Sequence, residues 1–236
     1  MAKDYSEDLL IQKSTAELLE KELGWHSVYA YDSEELGEQG TLGRKSQREV
    51  VLTRHLRLAL KRLNPWMNEK QMTEAVERMT EYKSSQTLIQ INEEKYGYVR
   101  DGVPVTQVRP DGTTETVRAR VIDFAVADNN EFVAVRELWI KGAIHKRRAD
   151  VVCYVNGLPL IFIELKNHDQ DIQNAYTDNY RDYLDTIPHQ FHHNAMIMLS
   201  NGMESRVGTV GAKWEFFHEW KRLTETDHGN IELPTM

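Results

Sequence analysis

A chain of 236 residues that is 40% apolar and 28% charged has the balance of a folded domain and the length to bury a substantial core, which excludes an intrinsically disordered chain. Its formal net charge of −8 argues against a surface that grips polyanions unaided, so other domains or subunits are expected to deliver any nucleic-acid substrate. No apolar run has the length of a membrane span, the start lacks the order of a secretory leader, and the lone Cys153 sits in an apolar run. A cytoplasmic protein with no membrane partner and a core cysteine is expected.

In chain order, Ser14 and Glu17 have capping-box spacing ahead of Leu18, Leu19 and Leu23, with Gly24 as a stop, which predicts a short first helix. Ser46 and Glu49 repeat the signal before Leu52, Leu56, Leu60 and Leu63, a longer helix ending at Asn64-Pro65. A third helix is predicted from about Glu69 to Tyr82 on the spacing of Met72, Val76 and Met79. Beyond it, Val117 to Val126 and Phe132 to Ile140 are rich in β-branched and aromatic residues and predict two strands around an Ala127–Asn130 turn. Two more strands, Asp150 to Val155 and Leu158 to Lys166, flank Asn156-Gly157, a strong hairpin signal. A helical face from Ile172 through Tyr183 and Leu184 runs up to Ile187-Pro188. Ala195 to Leu199 then reads as a buried strand, and Trp214 to Leu223 as a final helix. The expected fold is α/β, a mixed central sheet flanked by helices, in a single domain over residues 1–236. Its helical part covers about 1–100 and its sheet core about 115–223.

The chemistry concentrates between Arg148 and Lys166. Leu160 to Ile163 is continuously apolar, as in a strand covered on both faces, yet it runs directly into Glu164 and Lys166. Residues i and i+2 of a strand share a face, so these two form an acid and base pair. Asp150 from the neighbouring strand would add a second carboxylate suited to Mg²⁺. Such a centre can hydrolyse phosphodiesters, the ion acidifying water and neutralising charge while Lys166 orients the water or stabilises the phosphate. The same three residues could instead close the sheet as a structural salt-bridge cluster. One geometric condition separates a working site from a broken one. A strict two-residue turn at Asn156-Gly157 would pair Asp150 with Ile163 and set Asp150 and Glu164 on opposite faces, so a bulge or longer loop is expected.

Arg148 to Asn167 resembles the nuclease motif in the amino-terminal region of type I restriction-modification restriction (R) subunits, a branch of the PD-(D/E)xK nucleases. Further segments resemble the same family in the same order: Glu22-Leu-Gly-Trp25, Thr41-Leu-Gly-Arg44 with Glu49-Val-Val51, Leu63-Asn-Pro65, Asn130 to Glu137, Ile187-Pro188, and Ser200-Asn-Gly202 with Arg206. The resemblance implies a restriction-endonuclease-like core and an endonuclease that cuts unmodified foreign double-stranded DNA. Asp150 and Glu164 would bind Mg²⁺ and Lys166 would serve catalysis. Ala149 stands where the motif commonly has Pro. The family's Gln-x-x-x-Tyr motif maps to Asn179 and Tyr183, either of which could position DNA or the catalytic face, while Tyr183 could equally be core. The resemblance further implies a longer parent protein, with ATP-using motor domains that translocate DNA, and partner methyltransferase and specificity subunits. The ending Ile231 to Met236 reads like a domain boundary. A non-catalytic docking domain contacting the motor or methyltransferase subunits is the alternative.

Other features carry less. Gly40-Thr-Leu-Gly-Arg-Lys-Ser46 lacks the contiguous Gly-Lys-Ser/Thr of a phosphate loop, so no nucleotide site is assigned to this region, and His189, His192, His193 and His218 lack zinc-site spacing. Lys146-Arg147-Arg148 could meet DNA phosphates or form a solvated strand start.

Overall fold

The computed structural model describes residues 7–219, with side chains from residue 12 onward. The elements in order are α1 (Glu7–Leu23), β1 (His26–Tyr29), α2 (Thr53–Leu63), α3 (Glu69–Thr80), α4 (Leu88–Asp101), β2 (Val103–Val108), β3 (Thr114–Ala119), β4 (Phe132–Lys141), β5 (Lys146–Val155) and β6 (Leu158–Leu165). A π turn over Ala175–Tyr180 then leads into α5 (Arg181–Thr186), followed by β7 (Met196–Ser200), β8 (Ser205–Gly208) and β9 (His218–Glu219). Seven strands form one sheet in the order β1-β4-β5-β6-β7-β8-β9, parallel at β1/β4 and β6/β7 and antiparallel elsewhere, while β2 and β3 form a separate ribbon. This mixed sheet with flanking helices is compatible with a restriction-endonuclease-like fold.

Both faces of the sheet are covered because its central strands are apolar on both sides. On one, Val151, Cys153, Ile163 and Leu165 pack with Leu19 of α1. On the other, Val152, Tyr154, Phe162, Ile197 and Leu199 join Tyr180 and Tyr183 from the π turn and α5, together with Leu52 and, from α2, Leu56 and Leu60. Cys153 is a buried free thiol, in keeping with its apolar run.

Several local expectations change. Ser14 lies inside α1, which spans Glu7–Leu23, so the Ser-x-x-Glu spacing there is a mid-helix coincidence. The Ser46–Glu49 segment is a turn that caps nothing; α2 starts after Leu52 without a side-chain cap and is held by its buried Leu56, Ala59, Leu60 and Leu63. The strand expected through Val126 stops at Ala119. There Asn64 takes over the backbone, accepting from Arg120 N at 2.8 Å and donating to Arg120 O at 2.7 Å, and Asp123 ties the following loop through Ala125 and Asn129. In place of a helix from Trp214 come a 3₁₀ turn over Trp214–Phe216 and β9; the expected residues beyond 219 lie outside the described residues.

The β5–β6 hairpin decides the geometry of the site. Asn156 and Gly157 have φ of 51° and 81°, the two positive values of a tight two-residue turn, and Val155 pairs with Leu158. Register then shifts: Tyr154 pairs with Pro159, but Cys153 pairs with Ile161, leaving Leu160 as the extra residue of a bulge. Pro159 cannot donate to the ladder, which favours irregularity there. Beyond the bulge Val151 faces Ile163, which brings Asp150 alongside Glu164: the Asp150 carboxylate accepts from Leu165 N, and its charge bears on Glu164. The turn itself is pinned from both sides. The buried Asn156 amide donates to Val121 O and Asn130 Oδ1 and accepts from Glu131 N and Arg62 Nη2, while Gly157 O accepts from Leu52 N at 2.8 Å.

Candidate active site

Asp150, Glu164 and Lys166 meet at the carboxyl end of β6, where the sheet core gives way to α1 on one side and the π turn with α5 on the other. Asp150 Oδ2 accepts from Leu165 N at 2.8 Å and Oδ1 from Gln12 Nε2 of α1 at 3.0 Å, fixing the carboxylate against its neighbour strand. Glu164 is 1% exposed. Its Oε1 accepts from Asn179 Nδ2 and lies 3.3 Å from the Tyr183 hydroxyl, which also reaches Arg148 O at 3.0 Å. Asn179 faces both charges at once, because its Oδ1 accepts from Lys166 Nζ at 2.6 Å. An amide suits this bridging position, since it offers an acceptor to the ammonium and a donor to the carboxylate at once. The Tyr183 ring packs edge-on against Phe162 at 5.6 Å, so this residue is at once core and site wall. The π turn lies where Asn179 must approach Glu164, the kind of helix irregularity that often marks a site.

The electrostatics are those of two neighbouring carboxylates, Glu164 buried and Asp150 half-buried. Asp150 is pushed up to about 7, chiefly by burial of its carboxyl, with the Glu137 charge adding and the Leu165 N–H and the Lys166 and Arg148 charges opposing. Burial and the Asp150 charge raise Glu164 well above the ordinary carboxylate range, against the pull of Lys166, Asn179 and Tyr183. Glu164 Oε2 is buried with no hydrogen-bond partner among the described residues. An orphaned carboxylate oxygen beside a second carboxylate is a costly arrangement that a bound cation would relieve. The donors are hard oxygens, and among the described residues no group of three or more His, Cys, Asp or Glu is arranged as a complete cage. The residues present therefore fit Mg²⁺, which takes one or two carboxylates and fills its remaining positions with water or phosphate oxygens.

Two neighbours escaped the sequence reading. Glu137 is 2% exposed and sits in β4 between the Arg136–Val151 and Leu138–Ala149 pairs, level with Asp150, with a φ of 56°. A non-glycine residue in the left-handed region inside a strand is uncommon and clusters at functional positions. Arg148 Nε holds it at 2.6 Å. The signal for Glu137 was a charged pair, Arg136-Glu137, interrupting an otherwise apolar strand; Gln12 had no signal, since one amide on a polar helix face is unremarkable. A cavity of about 320 Å³ lies elsewhere, lined by Arg48, Val51, Tyr82, Lys141 and His193 among others, and contains none of the carboxylate cluster.

The mixed α/β sheet, with Asp150 of β5 beside Glu164 and Lys166 at the end of β6, is compatible with a restriction-endonuclease-like fold. Residues 4–216 match the family model described as the type I restriction enzyme R protein N terminus, and the chain belongs to that family. It is similar to the type I restriction enzyme HindI endonuclease subunit of Haemophilus influenzae, 32% identical over 221 residues, covering 91% of this chain and 20% of that protein. A putative type I restriction enzyme endonuclease subunit of Methanocaldococcus jannaschii is 24% identical over 227 residues, covering 94% of this chain and 21% of that protein. A Staphylococcus aureus type I restriction enzyme endonuclease subunit is 26% identical over 189 residues, 78% of this chain and 19% of its own length. The chain thus spans about a fifth of the length of the curated relatives it matches. No helix among the described residues is long and apolar enough to cross a membrane.

Proposed function

We propose that this chain is the Mg²⁺-dependent DNA-cleaving domain of a type I restriction enzyme R subunit, hydrolysing phosphodiester bonds of unmodified double-stranded DNA. Cleavage would follow ATP-driven translocation by motor domains of the longer protein, in a complex with methyltransferase and specificity subunits. The observation that carries the reading is the convergence of Asp150, Glu164 and Lys166, with Glu164 Oε2 buried and without a partner. Asp150 and Glu164 would hold the ion, which when bound supplies positive charge against the phosphate and makes a nearby water more acidic.

The side chains divide the remaining work. Lys166, steered by Asn179 Oδ1, places an ammonium where it can orient the attacking water or meet a non-bridging phosphate oxygen. Water oxygen bonds to phosphorus, the bond to the leaving sugar oxygen breaks, and that oxygen takes up a proton. Tyr183 and Asn179 hold Glu164 Oε1 in place, which would leave Oε2 to serve as a ligand to the ion.

The test is Lys166→Ala in the full-length subunit assembled with its partners. DNA cleavage should be lost while ATP hydrolysis and translocation persist. Cleavage at the wild-type rate would overturn the nuclease reading and leave the domain a docking role.

A further inference from the structure

Beside the carboxylates, three aromatic rings and three cations form one continuous row. Arg136 Cζ lies 5.3 Å from the Tyr29 ring centroid, Tyr29 is 6.3 Å from Tyr31, and Tyr31 stacks on Trp139 at 6.2 Å. Arg148 sits over both Tyr31 and Trp139, at 5.1 and 5.8 Å, and Lys146 covers Trp139 at 4.2 Å. The row follows from register: Tyr29 pairs with Arg136 across β1 and β4, and Trp139 with Arg148 across β4 and β5. Trp139 Nε1 donates to Tyr31 O at 3.1 Å, which locks the indole and so the platform.

The row reaches the site. Arg148 bonds Glu137, and the charges of both act on Asp150. It is also open to solvent: Tyr31 is 43% exposed, and Lys146 and Arg148 are exposed. Glu137 and Asp32 bring negative charge to the Tyr29 end, but Arg148 neutralises Glu137 and keeps further N–H donors on its guanidinium for an oxyanion. Arg147, between the two exposed cations, is instead bound to Asp182 at 2.5 and 2.9 Å. A lysine and an arginine laid on rings have already given up much of their rotamer freedom, so phosphate contacts made from this platform lose little further entropy.

We propose that Lys146 and Arg148, held on the Tyr31–Trp139 ring pair, form the phosphate-binding track that guides a DNA strand to the Asp150–Glu164–Lys166 centre. This rests on the nuclease reading above and adds the surface by which an acidic domain engages its polyanionic substrate. The acidity of the rest of the surface makes the track local, so it would seat DNA that other subunits already hold.

The test is equilibrium binding of the chain to a fluorescently labelled DNA duplex without divalent metal, over a series of salt concentrations starting low. Lys146→Ala should weaken binding about threefold to tenfold at low salt and flatten the slope of log affinity against log salt by about 1, the signature of one lost phosphate contact. Trp139→Ala should weaken binding at unchanged net charge. Lys83→Ala, an exposed lysine on the α3–α4 connection, is the control and should shift binding far less. If Lys146→Ala and Lys83→Ala change affinity and slope alike, or if the parent chain does not bind the duplex even at low salt, the track is refuted. Because binding is read without metal or turnover, a chain that binds as described but still cuts with Lys166→Ala would sink the nuclease reading alone.

Discussion

Replacing Asp150 by asparagine should stabilise the metal-free protein above neutral pH while abolishing its response to Mg²⁺. The folded protein pushes the Asp150 carboxyl from its ordinary 3.8 up to about 7. Between those values the folded state keeps a proton that the unfolded chain has lost, so stability falls as pH rises through the window from about 4 to 7. At about 1.4 kcal/mol per pKa unit, the ionised carboxylate costs the folded state at most about 4 kcal/mol near pH 8, and about 1–2 once screening at its partly exposed position is allowed for. Asparagine removes that cost and relieves Glu164 of a neighbouring charge. It can keep both local hydrogen bonds, its oxygen accepting from Leu165 N and its amide donating to Gln12 Oε1, which has no partner among the described residues of the wild type. Urea unfolding of both proteins with EDTA should therefore give similar midpoints near pH 4 and a higher midpoint for Asp150→Asn near pH 8. Added Mg²⁺ should raise the wild-type midpoint near pH 8 and leave the variant unmoved. A variant less stable than wild type near pH 8 in EDTA would show that the site is not electrostatically strained and would refute the reasoning.

Asn179→Ala should lower cleavage by the assembled enzyme about 10- to 100-fold while leaving the unfolding midpoint within about 1 kcal/mol, because it removes the amide that orients Lys166 and Glu164; single-turnover cleavage beside urea unfolding checks this. Gly157→Ala should cost at least about 2 kcal/mol, read as a lower urea midpoint, since its φ is 81° and a methyl group would sit 2.4 Å from Leu52 O. Arg44→Ala should cost about 3–5 kcal/mol: the fully buried guanidinium pairs Glu34 through both Nε and Nη2, at 2.7 and 2.5 Å, and its loss strands that carboxylate. Thermal unfolding of Arg44→Ala beside Arg44→Ala/Glu34→Ala should show part of the stability returning in the double variant.

Much of the half that carries the candidate site was legible because its signals are dense. Asn156-Gly157 fixes a turn, the runs on either side are too apolar for anything but interior strands, and Glu164 and Lys166 stand out against them. Even the bulge could be anticipated, since Asp150 and Glu164 can share a face only if one residue is left over, and that residue is Leu160 beside Pro159. The amino-terminal half read less well. Helix α4 has a capping box at Thr87 and Gln90, but only Ile91 and Lys95 are buried along it, so no apolar stripe declares it. The Lys95 ammonium is satisfied there by the carbonyls of Arg78 and Glu81, a tertiary arrangement that no spacing rule encodes. Strand β2 was missed and β3 was met only over residues 117–119, because the ribbon's outer face is exposed and its strands are short. Glu137 was overlooked for a different reason: its importance comes from standing level with Asp150 across a strand pair, and that alignment exists only once β4 and β5 are in register.

The Leu160 bulge makes the hairpin a parity device. Removing or adding a single residue between Val155 and Ile163 would turn Glu164 and Lys166 to the other face of the sheet, away from the Asn179 and Tyr183 groups that hold them. Changes of two residues would return them to the same side, though displaced along the strand. Variation in this loop is therefore constrained less by which side chains fill it than by whether their number is odd or even.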